Sequence, residues 1–165
     1  MKPSVYIETT IPSYLTAWRS RDLIMAANQE ATRIWWDVAR PRYDLYVSQI
    51  VLEEAAGGDS IAAERRISIL SGLPELDISI EAEVLAKRLL SGFALPAKAE
   101  IDALHIAISA IHGIEYLLTW NCTHIANAIM RPKIEYICRL EGYEPPVICT
   151  PLELMEESNV ERPDS

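Results

Sequence analysis

The chain has 165 residues, 24 acidic against 15 basic, for a formal net charge of −9, and half of its residues are hydrophobic. This composition is too apolar for disorder, and a chain of this length buries roughly 70% of the surface it exposes when unfolded, so one globular domain over residues 1–155 is expected. The charge excludes bulk electrostatic binding of nucleic acid but leaves room for a local basic patch or a metal-assisted site.

Val5-Tyr6-Ile7 is a short β-prone run, followed by Glu8-Thr9-Thr10 and by Pro12, which suits the first turn of a helix. Met25, Ala31, Ile34, Trp35 and Val38 recur at three- and four-residue steps, predicting one helix over Leu23–Arg40 that Pro41 stops. Tyr43 to Ser48 reads as the second strand. Helices over Ile50–Ala56, closed by Gly57-Gly58, and over Ser60–Leu70 follow it. Leu76-Asp77-Ile78 is a weak strand, Ile80 to Ser91 a helix, and Pro96 opens another helix reaching Gly113. Tyr116 to Thr119 is a strand with two short helical segments after it. Pro145 to Thr150 holds the last strand, Pro151 begins a terminal helix, and residues 156–165 read as a loose polar tail.

Strands alternating with helices imply an α/β fold, with a mostly parallel central sheet and helices on both faces. Sites in such sheets form beyond the carboxyl ends of the strands. No apolar run approaches the ~18 residues of a membrane span, and no signal-peptide pattern opens the chain. Cys122, Cys138 and Cys149 form neither a disulfide framework nor a zinc spacing, so a reducing, cytoplasmic compartment is expected. Glycine-rich phosphate loops and the serine-hydrolase elbow are absent.

Four positions stand out. Glu8 reads either as a helix-capping acid or as a carboxylate aimed at a metal from a strand end. In the helix before Gly113, Ile101, Leu104, Ile108 and Ile111 form an apolar stripe, and Asp102, His105, Ser109 and His112 form a polar lane beside it. Asp102 is then either an acid favoured by the helix dipole or one pointing into a crevice. Of Glu53 and Glu54, Glu54 shares the apolar face of Ile50 and Val51. Asn121 follows the strand ending at Thr119. Trp18-Arg19-Ser20-Arg21 is the best aromatic-basic cluster, with a solvated loop as its plainer reading. The face carrying Trp35 and Trp36 is generous for a single helix, and it is expected to supply core and a partner contact.

Taken together, Val5-Tyr6-Ile7-Glu8-Thr9-Thr10, Ser48 to Glu54, Asp102-Ala103-Leu104-His105-Ile106-Ala107 and Leu117-Leu118-Thr119-Trp120-Asn121 resemble the motifs of the PIN domain of VapC-type toxin ribonucleases, over residues 4–152. The resemblance implies a PIN-like three-layer α/β/α fold. It also implies Glu8, Glu54 and Asp102 as ligands of Mg²⁺ or Mn²⁺, and Asn121 as a fourth site residue. The substrate would be single-stranded RNA, the partner a small antitoxin, and the assembly a homodimer. Hard oxygen ligands without thiolates suit those cations in any case. Glu8 stands where most members carry Asp, and Asn121 where many carry a fourth acid. His124 falls where some relatives place an acid; it reads either as a ligand or, more plainly, as a surface histidine. These departures favour an alternative: a catalytically weakened PIN-fold module that binds RNA or regulates.

Overall fold

The computed structural model describes residues 1–155; the stretch 156–165, expected to be a polar tail, lies outside the described residues. Val5, Tyr6 and Ile7 have no exposed surface. This run forms the middle strand, β1 (Ser4–Ile7), as expected of a parallel strand covered on both faces. The other strands are β2 (Asp44–Ser48), β3 (Glu75–Leu76), β4 (Tyr116–Leu118) and β5 (Val147–Cys149). Every pairing is parallel and the order is β3-β2-β1-β4-β5. The helices are α1 (Thr10–Thr16), α2 (Leu23–Ile34), α3 (Gln49–Ala55), α4 (Ser60–Leu70), α5 (Ile80–Ser91), α6 (Glu100–Ile111) and α7 (Arg131–Leu140). They flank the sheet to give a three-layer α/β/α fold. Among the described residues no helix is long and apolar enough to cross a membrane.

The chain builds the sheet from β1 outward through β2 and β3, then crosses to the other side of β1 for β4 and β5. The carboxyl ends of β1 and β4 therefore lie side by side where the strand order reverses, with Ile7 opposite Leu118. A crevice at such a switch point is where an open parallel sheet offers a ligand site. Local signals feed this arrangement. Asp22, Asp59 and Ser79 cap α2, α4 and α5 by accepting the N–H groups of Met25, Ala62 and Ala82. Gly113, at φ +65°, takes the left-handed turn that ends α6 and sends the chain into β4.

Several boundaries differ from the sequence reading. The helix expected over Leu23–Arg40 keeps α-helical winding only to Ile34. It loosens to a π-helical turn over Trp35–Ala39 and tightens to a 3₁₀ turn over Arg40–Arg42. Pro41 sits inside that last turn, near its start, where a missing N–H removes no helical bond. α6 begins at Glu100, because Pro96 opens a turn closed by the Ala99 N–H on the Pro96 carbonyl at 2.9 Å. Asp102 thus lies in the first turn. The third strand pairs at Glu75–Leu76, ahead of the expected Leu76–Ile78. Over the described residues 151–155 the chain makes a turn, and the region between β4 and α7 is a series of turns up to Met130.

Trp35 is fully buried and Trp36 is 9% exposed, so the expected aromatic contact surface does not exist. Trp35 stacks on Tyr43 with ring centres 5.7 Å apart, and the Arg40 guanidinium covers Trp36 at 4.4 Å. The face of α6 is also corrected. Ile101 is 45% exposed, while His105 and Ser109 of the polar lane are fully buried beside Ala103, Ile106 and Ala107.

Candidate active site

Glu8 follows the last residue of β1, and its N–H continues the ladder to the Leu118 carbonyl at 3.2 Å. The side chain is 4% exposed. Its Oε2 accepts from the Thr10 N–H at 3.0 Å, from the Thr10 hydroxyl, and from the Thr119 hydroxyl at 2.8 Å. Burial raises the Glu8 pKa; nearby His105 and these three hydrogen bonds pull the other way without cancelling it. Threonine at both strand ends is therefore a local requirement, since it supplies donors where the carboxylate leaves water.

Glu54 comes from α3. Glu53 is exposed, with the Gln49 amide 3.4 Å away, while Glu54 turns toward Thr9, whose hydroxyl donates to its Oε1 at 2.8 Å. The same oxygen meets His105 Nε2 at 2.6 Å. On the other side of the ring, His105 Nδ1 lies 2.7 Å from the Tyr6 hydroxyl, which lies 2.7 Å from the Ser48 hydroxyl. One assignment satisfies every group with a neutral imidazole: Ser48 donates to Tyr6, Tyr6 to Nδ1, and Nε2–H to Glu54. Partial burial pushes the Glu54 carboxyl up, but the hydrogen bond and attraction of His105, with the Thr9 bond, outweigh it and hold the pKa below its ordinary value. Burial raises the Tyr6 pKa, so its hydroxyl stays protonated.

Asp102 comes from the first turn of α6, with its side chain 19% exposed. Its Oδ1 accepts from Asn121 Nδ2 at 3.1 Å, and its Oδ2 meets His124 Nδ1 at 2.8 Å. Asn121 Oδ1 accepts the His124 N–H at 3.1 Å, which folds the loop so that the imidazole returns to the acid. His124 is thus a site residue, which corrects the surface histidine of the sequence reading. The Asn121 N–H donates to the Thr119 hydroxyl at 2.9 Å, and Thr119 donates to Glu8. Glu8, Asp102 and Asn121 consequently belong to one hydrogen-bonded chain through Thr119, while Glu54 belongs to a second one through Thr9, His105, Tyr6 and Ser48.

Sequence reasoning missed His105 and Tyr6 as parts of this edge. His105 was visible as a member of the polar lane of Asp102, but nothing in its spacing chose the inward direction. Tyr6 read only as a β-former.

The donor chemistry at the edge is carboxylate oxygen, which fits a hard divalent cation, and among the described residues no cationic side chain bonds to buried Glu8. The present pairing is less open. Among the described residues no group of three or more His, Cys, Asp or Glu side chains stands together as a metal site. His105 occupies an oxygen of Glu54, and His124 and Asn121 occupy both oxygens of Asp102.

The fold is similar to that of a chain in the crystal structure of VapBC2 from Rickettsia felis bound to a DNA fragment from their promoter. The match has 15% identity and a TM-score of 0.56, and it covers 89% of this chain and 98% of that one. At that identity the likeness bears on the fold, which is PIN-like. No family model and no curated protein matches the sequence.

Proposed function

We propose that the chain is a metal-dependent endoribonuclease that hydrolyses phosphodiester bonds in single-stranded RNA, acting as the toxin of a toxin–antitoxin pair. One observation carries this reading. Glu8, Asp102 and Asn121, far apart in sequence, are joined by hydrogen bonds through Thr119 at the switch point of a PIN-like sheet, and Glu54 bonds to Thr9, the residue next to Glu8. The VapBC complex that shares the fold supports the toxin assignment and a small antitoxin partner. A cytoplasmic location and a homodimer belong to the same proposal, resting on the sequence resemblance.

In this reading Glu8 and Asp102 hold Mg²⁺ or Mn²⁺, with Glu54 beside them. The cation supplies positive charge against the phosphate and lowers the pKa of the attacking water. Glu54, steadied by Thr9 and His105, orients that water and accepts its proton. Asn121 keeps Asp102 turned toward the edge. Thr10 and Thr119 hold Glu8 in place, so the edge is organised before substrate arrives.

A second reading has a specific observation of its own. Both oxygens of Asp102 and one of Glu54 already have protein partners, which favours a weakened module that binds RNA without cutting it. Purified protein incubated with labelled single-stranded RNA, with Mn²⁺ and then with excess chelator, separates the two. Cleavage that the chelator stops supports the enzyme. Binding without cleavage supports the module, and cleavage that survives chelation contradicts the metal assignment.

A further inference from the structure

The loop between α1 and α2 holds a feature that the acid edge does not use. Trp18 is 83% exposed, whereas Trp35, Trp36 and Trp120 are at most 9% exposed. An indole left in water forgoes a large apolar burial. Yet this loop is held firmly. The Trp18 carbonyl accepts from Gln29 Nε2 at 3.1 Å, and the Ser20 N–H donates to Gln29 Oε1 at 2.9 Å. Gln29 is itself 3% exposed, so a buried amide is committed to the backbone on both sides of Arg19. Asp22 closes the loop by capping α2 at Met25.

From α4, the Arg65 guanidinium lies 5.4 Å from the centre of the Trp18 ring. Trp18 and Arg65 border a cleft of ≈ 410 Å³ with Ser13, Thr16, Asp59 and Arg66. Arg19 and Arg21 are exposed on the same loop. The cleft is lined by Ser13 and Thr16 of α1, the helix that starts at Thr10. At 1.5 Å per residue, α1 runs about 9 Å from Thr10 to Thr16.

We infer that Trp18, backed by Arg65, is a stacking platform for an unpaired base of single-stranded RNA lying along α1. The inference rests on the ribonuclease reading and names where its substrate is gripped. A guanidinium against an indole leaves a planar aromatic surface for a base, and such stacking tolerates any base because each has a π-face. Charge selects the ligand. The chain carries −9 overall and repels a polyanion in bulk, so guanidinium groups 19, 21 and 65 around one exposed indole offer a local reason for RNA to bind here.

Because the other three tryptophans are buried, the fluorescence difference between wild type and Trp18→Leu isolates the accessible Trp18. A single-stranded RNA hexamer is titrated into the protein with chelator present, beside an abasic hexamer of the same charge. Saturable quenching by the RNA and none by the abasic strand is expected. By anisotropy of labelled RNA, Trp18→Leu should weaken binding about tenfold, leaving abasic binding and the melting temperature unchanged; Trp18→Phe should recover most of the loss. Equal affinity of wild type and Trp18→Leu overturns the platform. So does the absence of quenching, which would point to a protein partner on this surface. The ribonuclease reading fails separately. Quenching with no cleavage on adding Mn²⁺ keeps the platform and refutes the enzyme, while cleavage indifferent to Trp18 keeps the enzyme and refutes the platform.

Discussion

His105 Nε2 lies 2.6 Å from Glu54 Oε1, and the other nitrogen of the same ring lies 2.7 Å from the Tyr6 hydroxyl. A single buried imidazole thus ties an acid at the mouth of the sheet to the middle strand beneath it. Tyr6→Phe removes only the hydroxyl and leaves His105 Nδ1 without its donor in a dry interior. That change should cost about 1–3 kcal/mol, lowering the melting temperature by roughly 3–10 °C. A calorimetric melting point equal to wild type would contradict the relay.

The two glutamates should respond to pH with opposite signs. Glu54 has a depressed pKa when folded, so its contribution is present above the unfolded value and is lost as pH falls through the folded one. Glu54→Gln should therefore make metal-free protein less sensitive to acid below about pH 4.5. Glu8 has a raised pKa when folded, so its contribution is present at low pH and is lost as pH rises through the folded value. Glu8→Gln should raise the melting temperature of chelated protein at pH 7, and the gain should vanish toward pH 3. Melting curves of the three proteins across pH 3–8 check both signs.

The strands and most helices were legible because continuous apolar runs and three- and four-residue steps carry them. The edge was legible in part. Glu8 and Asn121 sit at strand ends, where order along the chain suffices to locate them. α6 was harder, because it is apolar on nearly every side, and periodicity cannot choose a buried face in such a helix. That is why Ile101 was expected inside and His105 was not recognised. His124 depends on a side-chain-to-backbone bond from Asn121 in a loop with no period. The change to a π-helical turn at Trp35–Ala39 leaves no mark in three- and four-residue steps, so it was not legible.

Asn121 donates to one Asp102 oxygen at 3.1 Å, and Asn121→Asp would set a second carboxylate there. Without metal the variant should melt lower, by roughly 3–6 °C for a loss near 1–2 kcal/mol. With Mn²⁺ it should bind several-fold tighter, on the order of 1 kcal/mol for an added ligand charge. Calorimetric titration and paired melting curves test this, and no change in either would separate Asn121 from the site.

The homodimer no longer has exposed Trp35 and Trp36 to support it. Leu23, Ile24, Ile34 and Val38, 83%, 75%, 38% and 50% exposed, are the large apolar side chains open on the run from Leu23 to Arg40. Light scattering at micromolar concentration should give twice the 18.5 kDa chain mass. A monomer would contradict the dimer and leave the edge untouched.

Asp102→Asn tests the central claim most directly, because it keeps the shape of the side chain and removes the charge that the proposed cation requires. Single-turnover cleavage of labelled single-stranded RNA in Mn²⁺ should fall at least about 100-fold, with circular dichroism unchanged. Cleavage at the wild-type rate by the folded variant would show that Asp102 does not serve the reaction, and the assignment of this edge as a nuclease site would be wrong.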